Sequence, residues 1–259
     1  MSTAPDHPYI LVRRPAASLN DGIVTFRDRE PIDLDLAAKQ WEAYVGIFAE
    51  HGWGIVEVPV ADDLPDSVFV EDVVVMFDDF AVITNPGAPA RNPETDAIPA
   101  VLDELGIEHT KINDPGTLDG GDILKIDRIV YVGLTGTTNA EGIAQLRAAV
   151  EPRGFEVRQV PVTKALHLKS AVTALPDGTV IGYAPVVDDP SLFDSFLAVP
   201  EEPGSHVVVL GPDEVMMSDQ APRTEALLAD RGLKINTVGI SEYEKLEGCV
   251  TCLSVRVRR

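Results

Sequence analysis

The only two thiols in 259 residues stand three apart near the end of the chain, Cys249 and Cys252 in GCVTC. Such a pair can form a redox couple or part of a metal site, or one sulfur can serve as a nucleophile. The redox form belongs at the start of a helix, whereas the flanks VTCLSVRV read as a strand. Residues three apart on a strand face opposite sides, so the spacing predicts sulfurs that neither bridge nor share an ion. Cys249 then reads as a small buried apolar residue. Cys252 stays open to two readings, inert thiol or nucleophile, depending on what else reaches it.

An imidazole and carboxylates are the groups that would activate it. Of five histidines, His167 in HLKS is the one beside a lysine and a serine at a hairpin entrance. Asp66, Glu71 and Asp72 punctuate the apolar stretch PDSVFVEDVVVM, and Asp119 and Asp122 flank two glycines in LDGGD. A buried carboxylate needs a partner. A guanidinium suits the need, being planar, permanently charged and rich in N–H donors. The partner cation is either a lysine or arginine of the protein or a substrate. Paired glycines permit close backbone approach, which would bring Asp119 into a tight site. Arg91, in the loop NPGAPARNPET, reads as a surface ion pair or a ligand contact. No phosphate-binding glycine motif is present.

These residues fall at regular places. Apolar strands, acidic-faced helices and tight turns alternate, with hairpins expected to begin near Phe69, Gly121, His167, His206 and Cys249. The opening strand YILVRR, residues 9 to 14, should complete the last hairpin. A helix is predicted over DLAAKQWEAYVGIFAEHG, ended by glycine, and another over PSLFDSFLAVP. Five similar units at a period of forty to fifty residues suggest supersecondary repeats that cannot bury their faces alone. Pairing of the two ends would close them into a ring without edges and bring distant residues to one axis. The alternative is an ordinary mixed α/β sandwich.

The formal net charge of -21 argues against a nucleic-acid footprint, and 45% hydrophobic residues suffice for a large core. The start MSTAPDHPYILVRRP lacks a signal-peptide pattern, and no apolar run approaches eighteen residues. A cytoplasmic protein is expected, with residues 1–259 forming a single domain that acts as a monomer or homodimer.

Taken in order, PDSVFVED, ITNPGAPARNPET, LDGGDILKI, VGLTGTTNAEG, LHLKSAVTALPDGTVIG and GCVTCLSV resemble the dimethylarginine dimethylaminohydrolase family. That family belongs to the guanidine-modifying superfamily that includes arginine deiminase. The likeness runs from about Ile10 to Val255. It implies a five-bladed α/β propeller of pseudo-fivefold ββαβ repeats around a central site. It also implies hydrolysis of Nω-methylated L-arginine to L-citrulline and an alkylamine, with no metal or organic cofactor and a small cationic guanidine as the only partner. By the same resemblance Cys252 is the nucleophile, His167 the general acid and base, and Asp119 a carboxylate serving both histidine and guanidinium. Glu71 and Asp72 would bind the guanidinium, Asp66 would help hold the amino-acid end, and Arg91 would bind the α-carboxylate.

One position departs from the family pattern. Thr137, in TGTTN, stands where members commonly have a second arginine for the carboxylate. The substrate-binding set is therefore Asp66, Glu71, Asp72, Arg91 and Thr137. Other chemistries of the superfamily remain alternatives, namely deimination of arginine, amidinotransfer, or hydrolysis of a guanidine with a different tail.

Overall fold

The computed structural model describes residues 5–258. Strand β1 (Tyr9–Val12) leads to helix α1 (Leu34–Glu50) and returns through β2 (Gly54–Glu57), parallel to β1. Helix α1 starts where the Asp33 carboxylate accepts from Leu36 N at 3.0 Å. Its Ala37, Trp41, Tyr44 and Phe48, spaced four, three and four apart, form the buried stripe. It ends before Gly52, whose φ of 74° favours glycine.

The next units repeat the pattern. Hairpin β3 (Val74–Phe77) and β4 (Phe80–Ile83) turns at Asp78, followed by α2 (Ile98–Glu104) and β5 (Glu108–Lys111). Strands β6 (Ile123–Ile126) and β7 (Ile129–Leu134) turn at Asp127, and α3 (Ala140–Val150) then leads to β8 (Glu156–Pro161). A single helical turn, α4 (Leu168–Ala171), precedes β9 (Val172–Ala174), β10 (Val180–Gly182) and β11 (Phe196–Ala198). Strands β12 (Val207–Gly211) and β13 (Glu214–Ser218), α5 (Pro222–Asp230) and β14 (Lys234–Val238) follow. Short α6 (Ser241–Glu244) leads to β15 (Val255–Val257), which pairs antiparallel with β1 in the register Tyr9↔Val257 and Leu11↔Val255.

The result is five three-stranded sheets, each an antiparallel pair plus a parallel outer strand; the pair is a hairpin in four of them and joins the two ends of the described chain in the fifth. The opening strand completes the last unit, as its pattern predicted, and the fold is the pseudo-fivefold α/β propeller rather than a sandwich. Five apolar clusters, such as the one joining Tyr9, Val74, Ile98 and Val255, pack blade to blade.

Two expectations are corrected. PSLFDSFLAVP is a single 3-10 turn at Pro190–Leu192 followed by β11, not a helix. Phe193 packs 5.2 Å from Tyr131, and the sheet's demand for a third strand overrides local propensity. The first strands begin at Ile123 and Val207, close to Gly121 and His206 as expected, but at Val74, Val172 and Val255 they begin later than Phe69, His167 and Cys249 because a tight turn intervenes.

Candidate active site

Those turns are where the polar residues stand. Val70–Asp72 is a 3-10 turn before β3, and Asp119 immediately precedes the turn Gly120–Asp122 before β6. His167 immediately precedes α4 before β9, and Cys252 lies in the turn leading into β15. A first strand from each of four blades thus carries one group inward, and Asp66, Asp72, Arg91, Asp119, His167 and Cys252 line one cavity of about 110 Å³.

The imidazole is held from two sides. His167 Nε2 lies 3.1 Å from Asp119 Oδ2, and Nδ1 lies 3.9 Å from Asp72 Oδ1. Asp119 Oδ1 accepts from Gly87 N at 2.8 Å, and Asp72 Oδ1 accepts from Gly121 N at 2.9 Å. A Cβ at Gly121 would fall 2.5 Å from His167 Nδ1, so glycine is required by close approach. Burial alone would lower the His167 pKa, but Asp72, Asp122 and the Asp119 hydrogen bond outweigh it and raise it to about 10. His167 is an imidazolium at neutral pH and donates to Asp119.

Asp122 anchors this arrangement from below. It accepts from Leu168 N at 2.9 Å and from the Thr135 and Thr138 hydroxyls at 2.8 and 2.5 Å. Burial pushes its carboxyl up to about 6. The segment after a 3-10 turn at Leu19–Asp21 borders the cavity: Ile23 N donates to the Asp66 carboxylate at 3.1 Å, and both Ile23 and Thr25 line the cavity.

Arg91 is buried, with Nη1 2.8 Å from Asp72 Oδ2 and Nε and Nη2 paired with both oxygens of Glu94. Glu94 was not singled out from sequence; its place three residues after Arg91 within one helical turn was the available signal. Thr137 lines the cavity, with its hydroxyl 3.2 Å from Thr135 Oγ1. Among the described lining residues Arg91 is the single arginine or lysine.

Glu71 does not join this set. Its Oε1 lies 2.6 Å from Lys169 Nζ and 2.7 Å from Arg256 Nη2, and it lines a different cavity. Successive residues on a 3-10 turn diverge by roughly 120°, so Glu71 and Asp72 face different ways. Of the two, Asp72 lines this cavity, while the protein's own lysine and arginine pair with Glu71.

The cysteine geometry is also corrected. The segment is a turn rather than a strand, Cys252 N donates to Cys249 O at 3.1 Å, and the two sulfurs lie 3.3 Å apart. Cys249 N–H points at Cys252 Sγ, 3.4 Å away. Cys249 is buried, as its small-apolar reading predicted. The hydrogen bond with Cys249, then burial and the charges of Cys249, Glu71 and Asp72, push the Cys252 thiol well up, and the same hydrogen bond pulls Cys249 down, so alkylation must be read on the Cys252 side chain by peptide mass. Alkylation of Cys252 by iodoacetamide in the ligand-free protein is therefore expected to keep accelerating above the ordinary thiol range near pH ~8.5. A rate plateau reached below neutral pH would show a preformed thiolate instead. Among the described residues no group of three His, Cys, Asp or Glu is placed to hold a metal ion, and no helix is long and apolar enough to cross a membrane.

A five-bladed α/β propeller gathering a thiol, an imidazolium and carboxylates at its axis defines a guanidine-modifying enzyme of the pentein class. No family model matches the sequence. The chain is 57% identical over 248 residues to N(G),N(G)-dimethylarginine dimethylaminohydrolase of Streptomyces coelicolor, covering 96% of both chains. It is 34% identical over 253 residues to the protein of that name from Pseudomonas aeruginosa, covering 96% and 98%. A cysteine-to-serine variant of the Pseudomonas protein, solved with citrulline, superposes with a TM-score of 0.89 at 32% identity, over 96% of this chain and 99% of that one. The N-terminal domain of ArgZ, an arginine dihydrolase from cyanobacteria, gives 0.87 at 19% identity over 98% of each chain, a likeness of fold alone. The chain belongs to the dimethylarginine dimethylaminohydrolase family.

Proposed function

We propose that this protein hydrolyses an Nω-methylated L-arginine to L-citrulline and methylamine or dimethylamine. The reading rests on one observation above others: Cys252 and His167 line a single buried cavity with Asp72 and Asp119. Asp72 and Asp119 hold the guanidinium in its charged, more electrophilic form. That positive charge favours the Cys252 thiolate, which the empty site disfavours, and the thiol's proton leaves to solvent because His167 is already protonated. The sulfur attacks the guanidinium carbon, and His167 gives its proton to the departing amine. An S-alkylthiouronium is left on Cys252. Neutral His167 then takes a proton from water, whose oxygen adds to the same carbon. Collapse expels the Cys252 sulfur, which takes up the proton lost from the intermediate's hydroxyl, and leaves the neutral ureido product. One group acts as acid and then as base, as two-step covalent catalysis requires.

Arg91 and Asp66 are assigned to the amino-acid end of the substrate, with Thr137 beside them. We read the protein as a cytoplasmic single-domain enzyme whose partner is a small cationic substrate. A second reading, hydrolysis of a guanidine with a different tail, is favoured by Thr137 in the second arginine's place. Ureido formation from asymmetric dimethylarginine, monomethylarginine, arginine and guanidines lacking a carboxylate separates the two. Thr137→Arg is expected to lower KM for methylarginine by about tenfold, since a charged hydrogen bond contributes about 1.5–3 kcal/mol. An unchanged KM, with faster turnover of a carboxylate-free guanidine, would select the second reading.

A further inference from the structure

A second cavity, of about 140 Å³, lies on the ring axis. Its walls come from β3, β6, β9, β12 and β15, the inner strand of every blade. Those strands begin beside the catalytic cavity and run away from it, so this cavity occupies the other end of the axis. Lys125, Lys169, Arg256 and Arg258 line it, and Glu71 is the sole carboxylate among its described lining residues.

Such a surplus is out of proportion in a chain with 42 acidic and 21 basic residues. Lys169 and Arg256 share Glu71 Oε1. Lys125 and Arg258 make no ion pair among the described residues. Lys125 Nζ donates to the Met76 carbonyl, and its amine lies 5.1 Å from the Phe77 ring centroid. Arg258 Nη2 donates to the Val209 carbonyl at 2.7 Å, with the guanidinium 5.5 Å from the Trp53 ring centroid. Asp78, whose charge reaches Lys125, is itself paired with Arg128 at 2.6 Å. Burial, then the charges of Lys169, Arg256 and Arg258, push the Lys125 amine down. Both Lys125 and Arg258 are exposed at residue level, so solvent reaches this end.

We propose that this basal cavity binds a free oxyanion the size of phosphate. Four basic side chains against one carboxylate face a space several times the ~30 Å³ share of one water molecule, and a bound anion would hold the Lys125 amine in its charged form. Guanidinium and ammonium donors are the usual ligands of a tetrahedral oxyanion. The protein's overall negative charge is screened beyond a Debye length of ~8–10 Å, whereas these four donors act at contact.

The test is calorimetric titration of the full-length protein with inorganic phosphate at constant ionic strength. Saturable binding at one site is expected, unchanged by saturating L-citrulline, which addresses the catalytic cavity. The double variant Lys125→Met, Arg258→Met should bind at least about tenfold more weakly, as loss of two charged contacts requires, with turnover and melting temperature unchanged. Lys125→Arg should retain binding. If the double variant fails to fold, the two single methionine variants are read instead. Absence of saturable binding overturns the proposal, as does full affinity in the folded methionine variants or displacement of phosphate by citrulline. A nucleoside monophosphate binding more tightly than phosphate assigns the cavity to an esterified phosphate and overturns the free-anion assignment. Neither result bears on the hydrolase reading, which concerns the other end of the axis.

Discussion

Cys252→Ser is expected to lower turnover of methylarginine by about 10⁴-fold or more, the scale seen when a catalytic nucleophile is removed. Serine keeps the shape of the turn, but its hydroxyl ionises far less readily than a thiol beside the same bound cation. Binding should survive, because Asp72, Asp119 and Arg91 are untouched, so the dissociation constant for substrate changes little while kcat collapses. Acid-quenched wild-type protein under turnover should carry the substrate-derived mass on the peptide containing Cys252, and the variant should carry none. Turnover retained in the serine variant, or an adduct on Cys249, would refute the assignment. Cys249 needs this explicit check because its sulfur stands 3.3 Å from that of Cys252.

His167→Gln is expected to reduce kcat by about 10²- to 10⁴-fold, the range for loss of one general acid–base group, with a smaller change in KM. The same substitution has a signature in stability. The imidazole is buried, which disfavours its charge, yet Asp72, Asp122 and Asp119 raise its pKa from 6.5 to about 10. A raised folded-state pKa means that the folded protein holds the proton more tightly than the unfolded chain. The resulting stabilisation is complete below pH 6.5 and is lost as pH rises through about 10. Calorimetric melting across that interval should show the wild-type advantage over His167→Gln shrinking steadily. A difference independent of pH would mean that His167 is neutral in the folded state, and the proton donor in the first step would have to be sought elsewhere.

The legibility of the site was uneven for identifiable reasons. His167 and Asp119 were marked by composition, since a histidine, a lysine and a glycine pair at hairpin entrances are costly to place there without a use. Gly121 turned out to be required by the approach of His167, a contact 46 residues distant in sequence. The two cysteines misled, because strand periodicity was extended through a stretch that leaves α6 and turns before joining β15. The direction in which Glu71 points was not legible for a related reason: local alternation cannot say which end of an axis a one-turn helix presents. Phe193 and Phe196 belong to a segment whose apolar spacing allows a helix, and only the need for a third strand beside β10 decided against it.

The order of apolar runs and the turn residues were written in local patterns, because strand alternation, helix periodicity and turn chemistry act within a few residues. They marked five repeated units and left a closed ring and an ordinary mixed sandwich both open; the pairing of β1 with β15 decided for the ring. Which side chains meet at the axis was decided only by closure, which sets Asp72 and Asp119 against His167 and turns Glu71 away toward Lys169 and Arg256. Those contacts join residues from different blades, and their electrostatics depend on burial and distance, which the chain acquires when the blades pack.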